Sequence, residues 1–274
     1  MSFNIRSQNI PVRLTPSLRE KVWGRTRLSP WFPDSTVRIG EAWYLAGREL
    51  PLLVKLIFTS ERLSIQLHPD DGEDGSRGKS EMWHILEADP GASIGLGFRE
   101  RITRERLRES AGTKDIEQLL NWIPVKPGQT FYSPAHTVHA IGAGIVLCEI
   151  QQNSDVTYRL WDYGRPREIH IEHAVPLADL DVHPGPAQPV AIAEGCDLLV
   201  RSRHFVTECV RLPRGGQRMP SPQMCQLWIC LEGSGWIGDT PVHPGEVWLL
   251  PDTGPQPAVR AETQARFLRT FVPE

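Results

Sequence analysis

Residues 127–134 read PGQTFYSP and residues 244–251 read PGEVWLLP. Both fit one pattern: Pro-Gly, an amide or acid, any residue, an aromatic, two more residues, then Pro. A Pro-Gly turn signal, a short run with an aromatic and a closing proline make a turn–strand–turn unit. Upstream of the second copy, LEGSGWIGDTPVH (231–243) reads as two strands around a glycine turn. A hairpin followed by such a unit suits a small antiparallel barrel. Its recurrence within 274 residues implies two related β modules.

The rest of the chain agrees. PLLVKLIFTS (51–60), LSIQLH (63–68), MWHILEA (82–88), QTFYS (129–133), GIVLCEIQQ (144–152) and VTYRLWDYG (156–164) are short apolar-leaning runs closed by Gly, Pro, Asp or Ser. With 24 prolines and 23 glycines the chain is rich in turns, and the expected class is all-β. One helical interlude interrupts it. TRERLRES (103–110) and KDIEQLLNW (114–122) space Leu107, Ile116, Leu119 and Leu120 as helices do, with Thr103 and Thr113 suited to cap them. The expected organisation is a first module over residues 1–170, with a helical insert at about 100–122. A proline-rich linker at 171–190 and a second module over 191–274 follow.

Composition narrows the function classes. The net charge is −3, and the arginines of Arg99–Arg108 alternate with Glu100, Glu105 and Glu109, as on a solvated helix face. Nothing supports a nucleic-acid surface. The five cysteines are odd in number and form no CxxC pair, which argues against a disulfide framework and a thiolate zinc site. The opening MSFNIRSQNIPVRL has no apolar core of a signal peptide, and no run approaches 18 apolar residues. A cytoplasmic protein, monomer or homodimer, is expected. No phosphate-binding glycine motif and no nucleophile elbow occurs.

LSIQLHPDD (63–71) is the stretch with chemistry in it. Period-2 alternation puts Ser64, Gln66 and His68 on one strand face and Ile65 and Leu67 on the other. A lone inward polar residue is usually a hydrogen-bonded core residue. Two at i and i+2 can also clasp one ion. After the first Pro-Gly unit comes AHTVHAIGAG, with His136 and His139; after the second comes DTGPQPAVRA, with no histidine. A metal site built on this unit would exist in the first module only.

The spacing Gly128, Pro134, His139 resembles the second motif of the cupin superfamily. LSIQLHPDD, GKSEMWHIL, SPAHTVHAIGAG and EIQQNSDVTYRLWDYGR, in that order, resemble the type I phosphomannose isomerases in their short bacterial form. The likeness covers roughly residues 20–165. It implies two cupin jelly rolls, the second degenerate. It also implies zinc-dependent interconversion of mannose 6-phosphate and fructose 6-phosphate.

By the same resemblance Gln66, His68, Glu81 and His139 are the zinc ligands, with manganese, iron or cobalt as substitutes. Lys79, two residues before Glu81, corresponds to a phosphate-contacting lysine. Asp155 and Arg159 correspond to an active-site acid and arginine. Arg159 would meet phosphate or the charge developing on the sugar; Asp155 would orient Arg159 or join the proton transfer. The bland reading of that pair is a structural ion pair.

Glu149 and Gln151 alternate with Leu147. Inside a barrel Glu149 is either a general base or a partner of a metal histidine. Glu41 and Trp23 are expected to pack around the barrel mouth. His136 stands where the family usually has glycine and is not read as a ligand. His84 faces away from Glu81 and is read as structural. The alternatives are an isomerase of another sugar or sugar phosphate, and a sugar-binding cupin without turnover.

Overall fold

The computed structural model describes residues 10–45, 50–73, 75, 77–221, 224–254 and 256–273. The chain is mostly β, as expected, and its strands form four sheets with six, five, seven and four strands. The six-stranded sheet lies opposite the five-stranded one, with Trp23, Ile57, Trp83, Ile94, Phe131 and Leu147 among the side chains packed between them. The seven- and four-stranded sheets enclose a second core that includes Val210, Trp228, Trp248 and Phe267.

The six- and seven-stranded sheets pack back to back. Strand Leu52–Phe58 is buried along its whole length for this reason. Its Leu52, Val54, Leu56 and Phe58 join Val200, Leu227, Ile229, Leu249 and Leu268 in one cluster. The alternate residue Ile57 faces the core between the six- and five-stranded sheets. A strand covered on both faces reads as a continuous apolar run, and LLVKLIF is such a run with one lysine in it.

The Pro-Gly repeat is real in three dimensions. Gly128 and Gly245 adopt φ of +88° and +85°, a left-handed conformation that favours glycine. The same three backbone bonds surround each. Gly128 N donates to Ile85 O, Ile85 N to Gln129 O, and Gln129 N to Lys126 O. In the second unit Gly245 N donates to Cys230 O, Cys230 N to Glu246 O, and Glu246 N to His243 O. Each turn leads into a strand, Thr130–Ser133 or Val247–Leu250.

Helix α1 (Arg104–Ser110) starts at Thr103 as expected, the Thr103 side chain accepting from Arg106 N. Three details differ from the sequence expectation. Helix α2 (Ile116–Leu119) stops three residues early: Leu120–Pro124 is a strand paired with Ser93–Phe98. Sheet pairing overrides a helical apolar spacing there, and Asp115 rather than Thr113 stands at the N-cap position of α2, without a side-chain capping bond. Helix α3 (Ile171–Leu177) occupies the start of the expected linker and packs on α1 and on strand Tyr158–Trp161. Together α1, α2 and α3 cover the outer face of the five-stranded sheet, around Leu107, Ile116, Ala174 and Val175. Finally, Val12–Arg13 pairs with Leu249 and Trp248, so a strand at the start of the chain completes the seven-stranded sheet.

Candidate metal centre and substrate cavity

Strand register assembles the site. In an antiparallel sheet, residues directly opposite one another share a face. Gln66 lies opposite His139 on one side and Arg159 on the other. Across the barrel, Glu81 lies opposite Gln151 and Ser133, and Glu149 opposite Lys55 and Trp83. Trp43 lies opposite Lys55 on the next strand. Ile65 and Leu67 pack outward beneath the helices, so Ser64, Gln66 and His68 face inward. The alternation in LSIQLH is as expected.

His68, Glu81 and His139 converge, with donor atoms of all three within 4.8 Å of one another and all three side chains buried. Nε2 of His139 lies 3.2 Å from Glu81 Oε1, and Nε2 of His68 lies 3.5 Å from Glu81 Oε2. The opposite ring nitrogens are anchored. His68 Nδ1 donates to Val156 O (2.8 Å) and His139 Nδ1 to Thr137 O (2.9 Å). That fixes the tautomers and leaves both Nε2 lone pairs turned toward the carboxylate, the arrangement of metal-ligating histidines.

Electrostatics agree with a cation-binding cluster. Burial, with Lys79 and the other histidine nearby, holds His68 well below the usual imidazole range. Burial likewise lowers His139 to about 4. Both rings are neutral at pH 7, as ligation requires. Burial pushes the Glu81 carboxyl up to about 7 against the pull of Lys79, with Glu149 adding to the rise. Glu81 Oε2 is buried without a well-directed hydrogen-bond donor, although Lys79 Nζ lies 3.2 Å away. An orphaned carboxylate oxygen between two oriented imidazoles fits a divalent cation.

Gln66 is the adjacent amide. Its Oε1 accepts from Ser64 Oγ (2.8 Å) and its Nε2 lies 3.4 Å from His139 Nε2. Rotating the amide by half a turn would present oxygen to the cluster and leave Ser64 as acceptor.

A cavity of about 260 Å³ opens onto this cluster. It is lined by Gln66, Lys79, Glu81, His139, Glu149, Asp155 and Arg159, together with Lys21, Trp23, Glu41, Trp43, Lys55 and Arg167. Gln66, Lys79, Glu81, His139, Glu149, Asp155 and Arg159 thus line one cavity, and His68 lies behind the lining. Its cations are mostly engaged: Lys21 with Glu41 (2.9 Å), Lys55 with Glu149 (3.0 Å), Lys79 with Glu81, and Arg167 with Asp162 (2.6 Å). Among the described residues, Arg159 and Asp155 are the lining cation and carboxylate without an ion-pair partner, and they do not pair with each other. Arg159 Nε is buried and unbonded. Burial and the neighbouring Arg167 lower its pKa against the opposing pull of Asp162 and Glu168.

Glu149 is not an idle carboxylate. It accepts from Lys55 Nζ and from Trp83 Nε1 (3.1 Å). Burial alone would raise its pKa, but Lys55 and Lys79 hold it below the ordinary value. Lys55 also sits 4.5 Å from the Trp43 ring centroid. Lys55 is a site residue that the sequence reading missed, and the signal was present: a single ionisable residue inside LLVKLIF. Glu41, expected as packing, lines the cavity and accepts from Trp43 Nε1 (3.1 Å).

The other two histidines considered in the sequence, His136 and His84, lie elsewhere. His136 has φ of +73°, which accounts for glycine being usual there, and its Nε2 pairs with Glu73 (2.7 Å) rather than with the cluster. His84 is buried on the opposite face of its strand, bonded to Thr130 Oγ1 (2.9 Å).

Comparison with known proteins finds relatives in sequence and in fold. No family model matches the chain. A mannose-6-phosphate isomerase of Streptococcus mutans is 34% identical, over 89% of this chain and 93% of that protein. The crystal structure of the mannose 6-phosphate isomerase from Bacillus subtilis superposes with a TM-score of 0.84 at 27% identity, over 96% of this chain and 99% of the other. A zinc-bound mannose 6-phosphate isomerase has the same fold, with a TM-score of 0.76 at 16% identity over 96% and 100% of the two chains. The chain is a mostly β protein with a buried His–Glu–His cluster beside a cavity lined by charged residues of both signs. It belongs to the mannose-6-phosphate isomerase family.

Proposed function

We propose that this chain interconverts mannose 6-phosphate and fructose 6-phosphate through an enediol. A single zinc ion would be held by Gln66, His68, Glu81 and His139. The observation that carries the reading is the convergence of His68, Glu81 and His139 in a cavity where one arginine and one carboxylate are left unpaired. Two imidazoles, a carboxylate and an amide oxygen suit zinc and leave a position for substrate. When bound, the metal supplies Lewis-acid polarisation of the sugar oxygens at C1 and C2.

The chain's own residues supply the rest. Lys79 holds its ammonium beside Glu81 and His68, where it can hydrogen-bond an oxygen gaining negative charge. Arg159, with no ion-pair partner among the described residues, takes the phosphate. Asp155 is the lining carboxylate available to carry the proton between adjacent carbons. Glu149 fixes Lys55, and so the Trp43 side of the cavity. The two-module reading, with residues 191–274 as a degenerate cupin, is supported by the repeated Pro-Gly turn and the pairing of sheets. Val12–Arg13 would then belong with the second module.

The test is ketose formation from mannose 6-phosphate and, separately, from mannose. Each is measured as isolated, after chelation and after zinc return. Turnover of the phosphate ester alone, lost on chelation and restored by zinc, supports the proposal. Turnover of free mannose, or of neither sugar by metal-loaded protein, overturns it.

A further inference from the structure

The turn between the two ligand-bearing strands is tied to the second half of the chain. Gly78 N and Ser80 N flank Lys79, and both are bonded to one side-chain pair. Asp71 Oδ1 accepts from Gly78 N (2.8 Å) and from Gln152 Nε2 (3.0 Å); Gln152 Oε1 accepts from Ser80 N (2.8 Å). Lys79 N donates to Pro69 O (3.0 Å). Of these three consecutive amides, 78 and 79 are held by the turn that follows His68, and 80 by Gln152, which is itself bonded to Asp71. The packing is tight: a Cβ at Gly78 would come within 2.5 Å of Asp71 N.

That turn is gripped from the other side by residues of the second half. Arg203 pairs with the Asp70 carboxylate, and the His204 ring lies 3.9 Å from Asp70 and 3.7 Å from Asp71. Both residues sit in the connection between strands Cys196–Arg201 and Val206–Leu212. Asp70, Asp71 and His204 cluster closely, but their neighbours account for them, and no ion need be invoked.

We infer that Asp71 and Gln152 are positioning residues for Lys79 and Glu81. By the same inference, the Arg203–His204 turn clamps them, which gives the second half of the chain a part in the reaction. The inference rests on the proposed roles of Lys79 and Glu81. The physical reason is leverage. Lys79 lies between anchored amides, so a shift of Asp71 displaces its ammonium relative to the cluster, and misplacement of about 1 Å can cost on the order of a hundredfold in rate.

Asp71→Ala, Asp71→Asn and the double variant Arg203→Ala/His204→Ala test this. Each is assayed well below its melting temperature, with metal content measured. Asp71→Ala is expected to lower kcat about ten- to a hundredfold with KM changed far less. Asn, which can still accept both bonds, is expected to restore most of it, and the double variant to fall between. Amide exchange, read without substrate, is expected to accelerate at Gly78 and Ser80 in Asp71→Ala. Unchanged exchange there, or a folded Asp71→Ala with kcat within twofold of the parent, overturns the inference. If the parent itself turns over no sugar phosphate, the proposed function fails, and the exchange result still decides whether Asp71 holds these amides.

Discussion

His139 Nε2 lies 3.2 Å from Glu81 Oε1, two buried groups brought together from different sheets. Glu81 Oε2 lacks a well-directed hydrogen bond and the Nε2 of His139 faces the carboxylate, an arrangement that suits a bound cation. His139→Ala is therefore expected to abolish retention of zinc through gel filtration, whereas the parent retains about one ion per chain. Elemental analysis of the eluted protein checks this.

Burial of neutral imidazoles sets an acid limit on the metal-free fold. His68 lies well below 6.5, and His84 and His139 titrate at about 4. Between about pH 6.5 and 4 the unfolded chain binds protons at these rings that the folded chain does not. Stability is therefore full above 6.5 and falls as pH drops. Glu81, raised to about 7, acts in the opposite sense, but it is one group against three. The urea midpoint of the metal-free protein is expected to fall from pH 6.5 to pH 4, and less steeply in His84→Gln.

Lys55→Met leaves Glu149 buried with its charge unmatched. Removing one member of a buried ion pair costs about 3–5 kcal/mol. The double variant Lys55→Met/Glu149→Gln is expected to recover most of that loss. Chemical denaturation of the single and double variants measures it.

Arg159 has no ion-pair partner among the described residues, so its removal should affect substrate more than fold. Arg159→Ala is expected to raise KM for mannose 6-phosphate about ten- to a hundredfold. A hydrogen bond between charged groups is worth about 1.5–3 kcal/mol. Melting temperature should stay near that of the parent. Steady-state kinetics and a thermal scan together check both halves of the expectation.

His136 adopts a conformation that favours glycine and holds Glu73 in exchange. Glycine there relieves about 1–2 kcal/mol of backbone strain. It also forfeits a partly exposed ion pair worth at most about 1 kcal/mol. His136→Gly is expected to be stable to within about 1 kcal/mol of the parent by denaturation, or slightly more stable, with catalysis retained.

Much of the site was legible in the chain because strand periodicity is local. The pleat alone puts Gln66 and His68 on one face, and places His84 opposite to Glu81. A positive φ at Gly128 and Gly245 is what a Pro-Gly turn requires, and Thr103 caps its helix through its own side chain. Lys55 went unread, although a lone lysine within seven apolar positions marks a buried charge that needs a partner. Leu120–Trp122 read as helix because apolar spacing does not reveal that Ser93–Phe98 offers an edge to pair with.

The sequence by itself determined which residues form strands, which faces are polar and where the turns fall, since these depend on neighbours along the chain. Only the tertiary structure decided that both faces of Leu52–Phe58 are covered. It alone set the register of Gln66 against both His139 and Arg159. It also decided which cations are consumed by carboxylates and which one is left over. Those outcomes depend on long-range strand pairing and on partners far apart in sequence, and no local pattern encodes a distance between them.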